Sequence, residues 1–110
     1  MSFQRVCAAA DLSEDKPARF DVDGTDVVVV LPGGEVLALE DECSHAAVAL
    51  SEGDVADCSI ECWMHGSRFD LRTGDSLGPP ATEPVPTFAV RRTGDDVEID
   101  LTMSAQGETR

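Results

Sequence analysis

Apolar and polar residues alternate along much of the chain, and this period predicts β-strands rather than helices. The clearest case is the C-terminal hairpin, in which residues 88–90 and 97–101 place apolar side chains at every second position around a turn at 93–95. A second hairpin is predicted for residues 26–31 and 35–40, which flank a Pro-Gly-Gly turn. Further short strands are predicted at 3–7, 18–22, 55–63 and 69–72.

Helix signals are weak, because six Pro and nine Gly are spread along the chain and only residues 8–15 could form a turn or two. Residues 78–86 contain too much Pro for an interior strand and are predicted to form an extended loop. A length of 110 residues allows one domain. We assign residues 1–102 to that all-β domain and predict that 103–110 form a flexible polar tail.

The composition narrows the classes of function. With 8 basic and 22 acidic side chains the formal net charge is −14, so nucleic acid is a poor partner and basic proteins are better ones. No apolar run approaches the ~20 residues of a membrane helix, which predicts that the chain does not span a membrane. The first residues lack an apolar export leader, and we therefore expect a cytoplasmic location. In that reducing compartment Cys residues usually serve metals or chemistry.

The chemistry is concentrated in two short motifs. The chain contains only two His, and each follows a Cys closely, in Cys43-Ser44-His45 and in Cys62-Trp63-Met64-His65. Two thiolates and two imidazoles suit either a tetrahedral zinc ion or an iron-sulfur cluster. The spacing alone leaves both possibilities open.

The full pattern is Cys-x-His, then sixteen residues, then Cys-x-x-His-Gly, and it resembles the Rieske 2Fe-2S signature. The resemblance is to the soluble Rieske-type ferredoxins of bacterial non-haem iron oxygenase systems. It implies a Rieske-type antiparallel β-sandwich with a small cluster-binding subdomain. The ligand loops would lie at about residues 41–50 and 60–70, and the Pro-rich loop 78–86 would cover the cluster.

The resemblance also implies a ligand set for one 2Fe-2S cluster. Cys43 and Cys62 would bind one iron, while His45 and His65 would bind the other. With both His residues used as ligands, no general base or nucleophile pair remains for hydrolytic chemistry, and no catalytic residue is expected.

Several positions differ from the high-potential respiratory branch of the family. That branch has an additional Cys in each loop, at the positions of Val48 and Met64, so a disulfide between the loops is impossible in this chain. Ser67 is retained, but Phe69 stands where that branch has a hydrogen-bonding Tyr. Both differences predict a low reduction potential.

The implied function is that of a one-electron carrier rather than an enzyme. It would take electrons from a flavin-dependent ferredoxin reductase and pass them to a non-haem iron oxygenase or similar acceptor, as a monomer. Eleven acids and no Lys or Arg lie between Arg19 and Arg68. This acidic run has two interpretations: it docks to basic surfaces of partner proteins, or it is a solvated face that only keeps the protein soluble. The alternatives are an accessory or redox-sensing Rieske protein linked to iron-sulfur assembly and a Cys2His2 structural zinc module.

Four further residues have simpler interpretations. Cys7 and Cys58 are predicted to be buried structural thiols, with Cys58 on the same strand face as Cys62. Trp63 is predicted to be a packing residue near the cluster. Gly53 is expected to permit tight loop geometry.

Overall fold

The larger of two antiparallel sheets in this computed structural model contains six strands. The structure describes residues 3–44, 48–64, 66–78 and 83–105. The strands of the large sheet are β1 (Gln4–Ala8), β2 (Ala18–Val22), β3 (Thr25–Val30), β4 (Leu37–Glu40), β8 (Thr87–Thr93) and β9 (Asp96–Asp100). Their order across the sheet is β1-β9-β8-β4-β3-β2. The predicted strands at both ends of the chain are therefore confirmed and lie in one sheet.

Both predicted hairpins of the large sheet form. In the C-terminal hairpin Val90 pairs with Ile99 and Thr93 pairs with Asp96 around Gly94, which has a φ of 61°. The Pro-Gly-Gly turn is a short 3₁₀ helix, Pro32–Gly34, between β3 and β4. Only the 3₁₀ helix Ala9–Asp11 forms within the weak helical segment at residues 8–15.

The adjacent strands β3 and β4 are buried on both faces and lie at the centre of the fold. Val28 and Leu39 belong to an apolar cluster shared with the second sheet. Val27 and Val29 face the other way and pack in a cluster with Ile99. Residues 27–30 are all 0% exposed, which explains why this segment is a continuous apolar run rather than an alternating one.

The small sheet contains β5 (Val55–Ala56), β6 (Ser59–Glu61) and β7 (Arg68–Asp70), in that order. The prediction of a single strand over residues 55–63 is wrong. Asp57 and Cys58 have φ values of 52° and 57° and form a two-residue turn that reverses the chain between β5 and β6. No Gly marks this turn, and Asp57, a residue type that tolerates a left-handed backbone, is one of many acids in the chain. Cys58 consequently lies in the turn and not on a strand face with Cys62.

The chain after β9 returns to the large sheet. The Ala89 N–H donates a hydrogen bond to the Met103 carbonyl oxygen at 2.9 Å. The Ala105 N–H donates to the Thr87 hydroxyl oxygen at 3.1 Å. The rest of the predicted tail, 106–110, lies outside the described residues. Within the described part of the chain, no helix has the length and apolar character needed to cross a membrane.

Candidate metal centre

The first ligand loop, residues 41–50, connects β4 to the 3₁₀ helix Leu50–Glu52. Cys43 is buried in this loop, with 3% of its surface exposed. Its N–H donates a hydrogen bond to the Val48 carbonyl oxygen at 2.9 Å, which closes the loop on itself. The predicted ligand His45 lies outside the described residues.

The second ligand loop, residues 60–70, includes β6 and β7 and the turn between them. Cys62 is 0% exposed, and its N–H donates to the Ser67 carbonyl oxygen at 2.6 Å. Gly66 adopts a φ of 76°, a left-handed conformation that glycine accepts most easily, and donates its N–H to the Cys62 carbonyl oxygen. Each Cys therefore opens a loop closed by the carbonyl of the fifth residue after it. The predicted ligand His65 lies outside the described residues.

The fold brings the two cysteines into one apolar cluster. They share it with side chains from both sheets, including Leu39, Leu50, Ile60, Phe69 and Leu71. All four cysteines of the chain are described, and no disulfide joins any of them. A pair of buried thiols from two closed loops fits the thiolate half of a Rieske ligand set. Among the described residues no group of three or more His, Cys, Asp and Glu could hold a metal ion, but neither predicted His ligand is among them.

Gly53 determines how the two ligand loops lie against each other. A Cβ atom at this position would lie 1.6 Å from the Glu61 carbonyl oxygen, so only glycine allows this close approach. The neighbouring Glu61 N–H donates to the Asp54 carbonyl oxygen at 2.8 Å. The segment leaving the first loop therefore lies directly on the strand that enters the second. The tight geometry expected at Gly53 is confirmed.

The Pro-rich loop is attached on both sides of the centre. The Ser44 hydroxyl donates to the Glu83 carbonyl oxygen at 2.6 Å, which ties this loop to the first ligand loop. The Val85 N–H donates to the Gly74 carbonyl oxygen at 2.8 Å, next to the end of the small sheet. Sequence reasoning missed Ser44, because its partner is 39 positions away and no local pattern indicates it. Residues 79–82 lie outside the described residues, so the expected covering of the cluster stays a prediction.

A groove of about 310 Å³ lies beside the first ligand loop. Its lining includes four acidic residues, Arg19 and Trp63. Trp63 is 51% exposed and Met64 is 44% exposed, so Trp63 lies at the surface rather than in the apolar core, and its packing near the cluster stays a prediction. The reason is that Cys62 occupies the buried position at the end of β6, and the residues that follow it turn outward.

The other two cysteines are in different surroundings. Cys7 is buried beneath the large sheet with Ala9 and Val97, as predicted, and this burial raises the pKa of its thiol. Cys58 is only half-buried in the turn between β5 and β6, where its carbonyl oxygen accepts a hydrogen bond from the Leu71 N–H.

Known proteins resemble this chain in sequence and in fold. A Rieske [2Fe-2S] domain matches residues 2–89 of the chain. The chain belongs to this family. The ferredoxin component of biphenyl 2,3-dioxygenase from Rhodococcus jostii (strain RHA1) is 41% identical over 101 residues, which cover 92% of this chain and 94% of that protein.

Two solved structures show the same fold. The ferredoxin of carbazole 1,9a-dioxygenase from Nocardioides aromaticivorans IC177 has a TM-score of 0.86 and 36% identity, covering 90% of this chain and 97% of that one. A chain in the complex of reduced oxygenase and oxidized ferredoxin in carbazole 1,9a-dioxygenase has a TM-score of 0.85 and 31% identity, covering 98% and 95% respectively.

Family membership establishes the cofactor and the general function. The Rieske domain carries one 2Fe-2S cluster, and the chain is an electron carrier of the ferredoxin type. The Rieske-type antiparallel β-sandwich expected from the two motifs is confirmed. The structural zinc module that the spacing left open is set aside.

Proposed function

We propose that this chain is the ferredoxin component of an oxygenase system. It takes one electron from a flavin-dependent reductase and passes it to a non-haem iron oxygenase, without catalysing a reaction of its own. The observation that carries the proposal is the buried pair Cys43 and Cys62, which closed loops bring together in one apolar cluster. Similarity to a dioxygenase ferredoxin component over 92% of the chain supports the same role.

We further propose that Cys43 and Cys62 bind one iron of the cluster and that His45 and His65 bind the other. When bound, the cluster supplies a site that accepts and releases a single electron. The chain contributes two buried thiols, loops closed by backbone hydrogen bonds, and an apolar surround that excludes water. Residues 1–102 would form this single domain, with 103–110 as a tail.

The proposed docking surface consists of the acidic groove, which Trp63 lines, and the exposed Met64 that follows Trp63 in the chain. Acids on this surface suit a partner with basic side chains, and an exposed aromatic side chain is a common anchor in protein interfaces. A carrier that meets two partners in turn needs weak, transient contacts, which small interfaces provide. Cytoplasmic location and a monomeric state stay predictions from the sequence.

Reconstituted electron transfer tests the proposal. Purified chain should contain about two iron and two sulfide, and the reduced form should give a Rieske-type EPR signal. It should support electron flow from a flavin reductase to an oxygenase of the biphenyl or carbazole type. Zinc without iron, or transfer no faster than in the absence of the chain, would contradict the proposal.

Charge reversal tests the docking surface. Glu42→Lys should slow second-order transfer at low ionic strength, because it places a positive charge on the first ligand loop. Asp95→Lys makes the same change in the turn between β8 and β9 and serves as the matched control. Added salt should slow transfer by the wild type and reduce the difference between the variants. Equal rates for both variants and no effect of salt would leave the acids as a solubilising surface.

The reduction potential should lie toward the lower end of the Rieske range, about −150 mV rather than +300 mV. Phe69 is 0% exposed and supplies no hydroxyl, and no disulfide joins the ligand loops among the four described cysteines. Protein-film voltammetry measures the value. A midpoint above about +100 mV would place the chain in the high-potential branch instead.

A further inference from the structure

Asp41 is a buried carboxylate inside the first ligand loop, two positions before Cys43. Its side chain is 0% exposed. Among the acidic residues in the described part of the chain, only Asp41 and Asp100 are buried, and Asp100 lies at the end of β9 in the large sheet. Two residues span at most about 7 Å of chain, so the Cα atoms of Asp41 and Cys43 lie within about that distance of each other.

Two hydrogen-bond donors and one cation surround this carboxylate. Ser51 donates its N–H to Oδ1 at 2.7 Å and its hydroxyl to Oδ2 at 2.6 Å. Arg19 on β2 places Nε 3.5 Å from Oδ2. An ionised carboxylate only accepts hydrogen bonds, and this arrangement offers it donors alone. The contacts also join the two ends of the loop that contains Cys43, because Asp41 is the first residue of the loop and Ser51 directly follows its last.

Water screens the charges of Arg19 and Asp41 unequally. Arg19 is 51% exposed, and it also forms an ion pair with the half-exposed Asp26. Its positive charge is therefore weakened by water and shared between two carboxylates. The charge of Asp41 is fully buried, where screening is weaker. Of the two charges, that of Asp41 is therefore the less screened.

We propose that the buried charge of Asp41 lowers the reduction potential of the centre held by Cys43, with Arg19 as a partial counterweight. One-electron reduction adds one negative charge to the centre, and the electron comes from the reductase. A fixed negative charge nearby opposes this addition, whereas a positive one favours it. The inference rests on the proposed ligand role of Cys43.

The test compares two neighbouring acids by protein-film voltammetry on the holoprotein, without any partner protein. Asp41→Asn removes the charge but keeps an oxygen that accepts from the Ser51 N–H and an amide that donates to its hydroxyl. Glu42→Gln is the matched control, because it makes the same change on an exposed side chain one position closer to Cys43. We expect Asp41→Asn to raise the midpoint potential more than Glu42→Gln, and its shift to persist at high salt while that of Glu42→Gln diminishes. Equal shifts, or an unchanged potential in Asp41→Asn, would overturn the inference.

Two further variants separate charge from architecture. Arg19→Gln should lower the midpoint potential, the opposite sign to Asp41→Asn, and this holds as a test even if Asp41→Asn fails to fold. Ser51→Ala removes a hydrogen bond but no charge, so it should lower the melting temperature with a smaller change in potential. A potential that is unchanged or raised in Arg19→Gln would contradict the assignment. If the wild type lacks a Rieske EPR signal, the proposed function fails; a normal wild-type signal with unmoved potentials overturns only this inference.

Discussion

The large and small sheets are held together in different ways. Strands of the large sheet contain four to seven residues, and buried apolar side chains line both faces of its centre. Strands of the small sheet contain only two or three residues. A sheet with so few ladder hydrogen bonds is not stable alone. The comparison shows that the part of the molecule that holds the cofactor depends on contacts outside its own strands.

Side-chain contacts both within the small sheet and beyond it can be identified individually. Arg68 on β7 donates to the Ser59 hydroxyl at 2.9 Å and to the Ala56 carbonyl at 3.2 Å, so it spans the turn between β5 and β6. Arg72 forms an ion pair with Glu35, which joins the small sheet to the loop before β4. The remaining support comes from the apolar side chains shared by both sheets and would come, when it is bound, from the 2Fe-2S cluster that we propose the two loops ligate.

The largest expected effect comes from removing a proposed ligand. Cys62→Ser should lose the iron and the Rieske EPR signal completely. Amide exchange should then become faster in the small sheet than in the large one, because the 2Fe-2S cluster no longer links the two loops. Cys7→Ser is the control, since it changes a buried thiol in β1 and should cost about 1–3 kcal/mol of stability with full iron content. A normal Rieske signal in Cys62→Ser would refute the ligand assignment.

A methyl group at Gly53 should have the next largest effect. The residue has a φ of −96°, which alanine can adopt, so only the contact with the Glu61 carbonyl opposes the substitution. Gly53→Ala should lower the free energy of unfolding by about 1–3 kcal/mol and accelerate loss of iron. Gly78→Ala is the matched control, because no described residue lies within 4 Å of its added Cβ, and it should change stability by less than about 0.5 kcal/mol. Denaturant unfolding with equal midpoints for both variants would show that the two loops do not depend on this contact.

Removing the Ser44 hydroxyl should have a moderate effect confined to the cofactor end of the molecule. Ser44→Ala should cost about 0.5–1.5 kcal/mol and accelerate amide exchange at Val85, because the Pro-rich loop loses its bond to the first ligand loop. Ser13→Ala removes an exposed hydroxyl that donates to Asp15 before β2 and should leave exchange at Val85 unchanged. If exchange at Val85 is the same in both variants, the Pro-rich loop is held independently of Ser44.

The smallest effect concerns the large sheet and depends on pH. The Thr102 hydroxyl and then the Thr102 N–H donate to Asp100 and lower the pKa of this carboxyl. A lowered pKa stabilises the fold above about pH 3.9, and this stabilisation is lost as the pH falls through the value in the folded state. Thr102→Val keeps the N–H but removes the hydroxyl, so it should reduce stability at pH 7 and have progressively less effect below about pH 3.9. Urea unfolding of the wild type and of Thr102→Val at pH 7 and below about pH 3.9 measures the loss of stability. A stability difference between the two proteins that is the same at both pH values would contradict the role of Asp100.

Strand alternation and the Cys-His motifs could be predicted from the sequence alone, because both depend on residues close together in the chain. Alternation at residues 97–101 sufficed to predict β9, and two Cys-His motifs sufficed for the family and its cofactor. Both can be predicted because a strand repeats every two residues and each Cys-His pair is separated by only one or two residues.

The contacts between the two cysteine loops could not be predicted from the sequence and are known only from the packed structure. The turn at Asp57 and Cys58 has a left-handed backbone without a glycine, and Asp is too frequent in this chain to mark the turn by itself. Ser44 meets Glu83 and Gly53 meets Glu61 because the strands between them reverse, and each contact joins residues that have no local relation. Asp41 is one acid among many in the sequence, and it became distinct only when folding removed its carboxylate from water while leaving Glu42 exposed. Burial and long-range contact are properties of the packed chain, since they depend on which distant segments share a core.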